Sequence, residues 1–206
     1  MKIENLHRLF RLNSILIFCY LVILFLLVFV VDFRLNLIEI PGAMYLERKS
    51  LFPTHTFNSI TFTILTGTLI LVLNIPITLK LLAIFIKTRD MDFFNNLKKR
   101  YFFVYYFGFG IMEPHRIWKH LTGWKITYRI LAIFGFLYMV FILLYWMFGW
   151  TFIQLPPHYS LVNLVSKFKI ALYILNLFIF GGMSLFLLTT FSAIFLIIYS
   201  FFYKNI

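Results

Sequence analysis

Acidic residues are scarce in this chain, with seven Asp and Glu against nineteen Lys and Arg in 206 residues, a formal net charge of +12. Charge of either sign is also sparse: 13% of residues are charged and 62% are hydrophobic. Soluble domains carry about 25% charged and roughly 45–50% apolar residues. The shortage excludes an ordinary water-soluble domain, because a single compact unit of this length cannot hide that much apolar surface in its own core. Cysteine is limited to Cys19, which rules out an intrachain disulfide and a cysteine metal cluster. Cys19 falls inside the first apolar run and reads as small, apolar packing. Glycine occurs nine times and alanine five, although both suit close helix packing in membranes. Phenylalanine occurs 28 times and tyrosine 12, a skew that bilayer physics does not require and that an A+T-rich coding genome produces.

What is present is long apolar runs. A spanning helix needs about 20 apolar residues to cross roughly 30 Å of hydrocarbon. Runs at 14–31, 57–79 and 130–150 meet that requirement, and a fourth at 170–203 exceeds it. The expected fold is an all-α integral membrane protein of about four transmembrane helices, one membrane domain over 1–206. The adjacent Gly181 and Gly182 mark where the last run would kink if it bends, since glycine weakens a helix interior. Lys2, Arg8 and Arg11 precede the first run. Its length and the absence of a small-x-small cleavage pattern predict a retained anchor, not a removed signal.

The basic residues flank these runs and form no continuous stripe, so nucleic acid is not an expected partner. Thirteen fall in the N-terminal segment, the 87–129 loop and the tail, and five in the two remaining loops. Lys and Arg concentrate in cytoplasmic or matrix loops, so this asymmetry predicts four spans with both termini and the 87–129 loop on that side. Within the loop, 90–100 reads as a short polar helix, and Glu113-Pro114 reads as a further helix start. The aromatic stretch 101–112 is too short to span and reads as an interfacial element.

Chemistry is harder to find. No Asp, Glu, Lys, Arg or His occurs within the first, third or fourth run, and Lys80 sits near the end of the second. Ionisable groups at membrane depth mark proton and ion pathways, so a pump or carboxylate-coupled transporter is not expected. His115 and His120 are five residues apart, about 140° around a helix, which is wrong for a shared metal. Haem would need inward histidines within helices, whereas all five lie in loops or the terminal segment. No cofactor or metal is expected. His55, His158 and the Glu113–His115 pair read as solvated loop groups, so no enzyme is expected.

Two sets of residues carry binding readings. Arg116, Lys119 and Lys125, interleaved with Trp118 and Trp124, form a surface for anionic phospholipid such as cardiolipin. Small and polar residues align along two spans: Thr63, Gly67, Asn74 and Thr78 on the second, and Gly181, Ser184 and Ser192 on the fourth. Such stripes let helices approach and hydrogen-bond across one another, within the chain or against other membrane subunits. In composition the chain resembles multi-span products of A+T-rich mitochondrial genomes, which are mostly respiratory-chain and ATP-synthase subunits. The expected function is therefore a non-catalytic subunit of a large inner-membrane complex, in the mitochondrial rather than the bacterial inner membrane, acting in scaffolding, assembly and lipid contact. The alternatives are an inner-membrane component of a bacterial secretion, conjugation or transport system, and a lipid-modifying membrane enzyme.

Overall fold

A computed structural model describes residues 3–88, 91–105, 119, 123–148 and 159–202. The described residues are overwhelmingly helical and contain no strand. In chain order the helices are α1 (Ile3–Phe29), α2 (Pro41–Lys49), α3 (Pro53–Thr88), α4 (Met91–Arg100), α5 (Ile126–Met147), α6 (Tyr159–Lys167), α7 (Lys169–Gly181) and α8 (Leu188–Phe202). Four stretches are long and apolar enough to cross a membrane: His7–Phe29, Pro53–Lys87, Ile126–Tyr145 and Lys169–Phe202. The chain is a multi-pass membrane protein in this sense.

Each expected span is longer or shifted at its ends for a local reason. α3 opens on Pro53, whose missing N–H costs nothing in a first turn. It then continues beyond 79, where Leu81, Leu82, Phe85 and Ile86 are buried, Phe85 beside Phe94 of α4, and nothing breaks the helix before Thr88. Pro76 lies inside it, which a membrane helix tolerates where neighbours satisfy the released carbonyl. The last run does not break at its glycine pair. α7 passes through a π-helical segment, Gly182–Leu187, straight into α8. The extra residue of a π turn is absorbed where two glycines make the backbone most compliant.

By Cα proximity the chain divides into two compact units. One comprises 1–14, 70–142 and 184–206. In it α4 presents Phe94 and Leu97 inward and closes on Lys98, Lys99 and Arg100. The Phe94 ring meets Phe85 edge-on at 5.4 Å. Of the expected interfacial element, 101–105 is described; Tyr101 packs its ring on Phe10 at 5.2 Å, and Val104 and Tyr105 are buried. The remainder, with the Glu113-Pro114 helix start, His115, His120 and His158, lies outside the described residues.

A reciprocal amide pair stands in the same unit. Asn13 donates to Asn74 at 3.1 Å and Asn74 donates back at 2.9 Å, both buried. An unmatched buried amide costs about 1–3 kcal/mol, whereas replacing both partners by apolar groups is close to neutral. Asn13→Leu should therefore lower the detergent-solubilised protein's thermal midpoint, and Asn13→Leu/Asn74→Leu should recover most of the loss. Losses that merely add would show that the pair contributes nothing as a pair.

The other unit comprises 15–69 and 143–183. It includes two short helices that composition did not announce. α2 starts at Pro41 and buries Gly42, Ala43 and Leu46, while Arg48 and Lys49 sit at its C-terminal end, where the helix dipole favours cations. α6 packs against both α2 and α7. The backbone N–H of Leu51 donates to the Ser166 carbonyl at 2.9 Å, tying the α2–α3 connection to the end of α6.

Candidate functional site

The second unit concentrates its polar side chains on the first turns of α3. Thr56, Asn58, Ser59, Thr61 and Thr63 are all fully buried. The Tyr20 hydroxyl of α1 donates to the Asn176 main-chain carbonyl at 3.3 Å and meets the Thr63 hydroxyl at 3.1 Å. The Asn176 amide nitrogen donates to Ser59 at 3.2 Å and to the Leu172 carbonyl at 2.9 Å. These bonds join α1, α3 and α7 where lipid offers polar groups no alternative partner.

At the end of this ladder His55 sits buried between two opposite charges. Its Nδ1 lies 3.0 Å from the Leu27 carbonyl, which accepts and so assigns a proton to that nitrogen. Its Nε2 lies 2.7 Å from Asp32 Oδ1 and 2.9 Å from Lys169 Nζ. Two proton arrangements follow. A neutral ring accepts from Lys169 through the Nε2 lone pair, and an imidazolium donates from Nε2 to Asp32 instead. Asp32 and Lys169 form no direct ion pair among the described residues, so the imidazole stands between them. Lys169 Nζ also lies 5.1 Å from the centre of the Phe52 ring, within cation–π range. The expectation of a solvated loop histidine is corrected here: His55 is 6% exposed while Asp32 is 89% exposed. The first turn of α3 carries the ring inward, away from water.

Beside Lys169 runs a cavity of about 630 Å³. Phe52, Leu164, Phe168, Ala171, Ile174 and Phe178 line much of it, and Lys167 and Lys169 are the only charged lining residues among those described. Phe168 adopts an extended conformation between α6 and α7, so the two lysines flank the break between the helices.

The residues singled out from sequence are distributed between the two units. Thr63, Gly67 and Gly181 belong to the second; Asn74, Thr78, Ser184 and Ser192 belong to the first. Thr63, Asn74, Thr78, Ser184 and Ser192 are buried. Ser192 donates to the Leu188 carbonyl at 2.7 Å within its own helix. Gly67 faces Met183, and a Cβ at that position would collide with the methionine sulfur. Of the anionic-lipid set, Lys119, Trp124 and Lys125 are exposed, and Arg116 and Trp118 lie outside the described residues. Cys19, expected to pack, is exposed on α1.

Arg129, counted from sequence as a loop charge, is 4% exposed. It sits in the first turn of α5, where its guanidinium donates to the Trp124 carbonyl at 3.1 Å. It also donates to the carbonyl and hydroxyl of Ser200 at 3.0 and 3.1 Å. No group of three or more His, Cys, Asp and Glu is placed to hold a metal among the described residues.

Comparison of the chain with protein-family models, with curated proteins and with solved structures finds no match.

Proposed function

We propose that the chain is a non-catalytic subunit of a larger inner-membrane complex, of the mitochondrial respiratory-chain or ATP-synthase kind, that holds neighbouring subunits and anionic phospholipid in place. The observation that carries the reading is the third span. Only 11% of its most apolar window is buried by its own chain, against 33–44% for the other three spans. Its most exposed residues fall on one face: Leu131, Phe134, Tyr138 and Phe141, spaced three or four apart. A Cβ added at Gly135, beside that face, would meet nothing within 4 Å, so the surface there is open to a neighbour.

Tyr138 favours a protein neighbour over lipid. Its side chain is 65% exposed well inside the span, and its hydroxyl has no hydrogen-bond partner among the described residues. Tyrosine prefers the interfacial belt because hydrocarbon offers its hydroxyl nothing to bond. A neighbouring helix seated at Gly135 supplies both the contact surface and an acceptor. The phenylalanine excess, too large for so small a bundle to bury, supports the same reading.

The assignment predicts that, in mild-detergent extracts, the chain migrates in native electrophoresis with other membrane subunits, well above its own 24.7 kDa. Gly135→Leu/Tyr138→Leu should release it as a smaller species with an unchanged thermal midpoint, because neither side chain supports the chain's own core. Migration of the wild type as a lone monomer would overturn the proposal.

A further inference from the structure

We propose that the α6–α7 groove holds one anionic phospholipid, its phosphate on Lys167 and Lys169 and an acyl chain along α7. The inference does not depend on membership of a complex. At about 630 Å³ the groove lies within the roughly 300–1,000 Å³ range of ligand sites. Its apolar wall continues on Ile170, Ile174 and Phe178, a stripe with a four-residue repeat along a helix that crosses the membrane. A tail laid on that stripe runs parallel to the neighbouring lipid chains.

The tail alone does not select an occupant, since lipid hydrocarbon is as apolar as a leucine-lined groove. Selection therefore rests on charge. Lys167 is exposed at the end of α6, and Lys169 is held two residues on, with its ammonium fixed against His55 and over Phe52. An ammonium has three N–H donors, and His55 engages one of them. Lys167 and Lys169 both line the groove, and so does Phe52, over which the Lys169 ammonium stands. Asp32, which faces the same His55 Nε2 that Lys169 approaches, is not among the described residues that line the groove. Two cations with no anion among the described lining residues match a lipid phosphate that carries net negative charge. A neutral helix of another protein would leave them uncompensated.

The test uses the full-length protein in nanodiscs of equal phosphatidylglycerol and phosphatidylcholine, with native mass spectrometry of the lipid retained on extraction. The expected result is one retained phosphatidylglycerol, enriched roughly tenfold over phosphatidylcholine, as suits two cations at the membrane surface. Lys167→Ser/Lys169→Ser should bring the ratio near one. Ile174→Trp, which fills the groove and leaves both lysines in place, should also abolish retention, and Lys167→Arg should preserve it. Lys167→Ser alone should give an intermediate ratio if the double variant fails to fold. Equal retention of both lipids by the wild type would overturn the proposal. So would enrichment unchanged by Ile174→Trp, which would place the lipid on the basic surface around Lys119 and Lys125. Crosslinking from position 174 to a protein instead of a lipid in native membranes would likewise overturn it.

Discussion

Arg129→Ala should destabilise the protein by about 3 kcal/mol, a loss readable as a fall of roughly 6–12 °C in the thermal midpoint in detergent. Arg129 is buried in the first turn of α5, and its guanidinium is the donor to the Trp124 carbonyl and to both oxygens of Ser200. Hydrogen bonds from a charged donor contribute about 1.5–3 kcal/mol each when buried, because their loss leaves acceptors that neither lipid nor apolar side chains can satisfy. The Arg129 guanidinium also lies 5.8 Å from the Phe201 ring centre, so the side chain joins the start of α5 to the end of α8 twice over. Arg129→Lys keeps the charge but not the planar fork that reaches Ser200 and Trp124 together. It should recover less than half of the loss. Full recovery with lysine would mean that charge alone matters at this position and that the guanidinium geometry does not.

Gly67→Leu should cost about 1–3 kcal/mol, the usual penalty for overfilling a packed interior. Gly67 on α3 approaches Met183 so closely that even a Cβ displaces the sulfur. The Met183 side chain is flexible and its own Cβ stands 3.5 Å from the added atom, so Gly67→Ala should be tolerated as the thioether swings aside. A leucine leaves it nowhere to go, since Met183 is itself 1% exposed. Gly67→Leu/Met183→Ala should restore the midpoint to near the wild-type value. If the double variant is no better than Gly67→Leu alone, the α3 glycine is needed for something other than room for Met183.

These two residues mark the boundary of what patterning reveals. The four spans were legible because an apolar run of helical length has few other fates. Gly67 stood out because a glycine in a spanning helix costs about 1 kcal/mol relative to alanine unless something approaches it. What approaches it, Met183, carries no signal of its own. Arg129 was hidden for a different reason: a cation at the start of a span looks the same whether it snorkels to water or turns inward, and the difference lies in Ser200, 71 residues away. His55 is similar. Its buried setting depends on Lys169, 114 residues along the chain, and on the first turn of α3 carrying the ring inward. α2 did leave a trace, with Pro41 at a helix start and Ala43 and Leu46 on one face, but nine residues are too few for periodicity to separate from a loop.

At the glycine pair the sequence favours one long helix, straight or kinked, over two short spans, and the structure keeps the helix continuous. Gly181 and Gly182 permit either a break or a softened helix. The absence of any polar turn residue between them and Ser184 removes the groups that would satisfy a broken backbone in lipid. The chain therefore keeps its hydrogen bonds and takes up the irregularity as a π turn.

The central claim is that the four helices long and apolar enough to cross a membrane do so; one of them, α3, then separates Lys49 from Lys119. In sealed native-membrane vesicles, with Cys19→Ser as background, single cysteines are introduced at the exposed positions Lys49 and Lys119 and treated with a membrane-impermeant maleimide. The account predicts that one of the two positions labels before detergent is added and that both label afterwards. Labelling of both before detergent, or of neither, would contradict it.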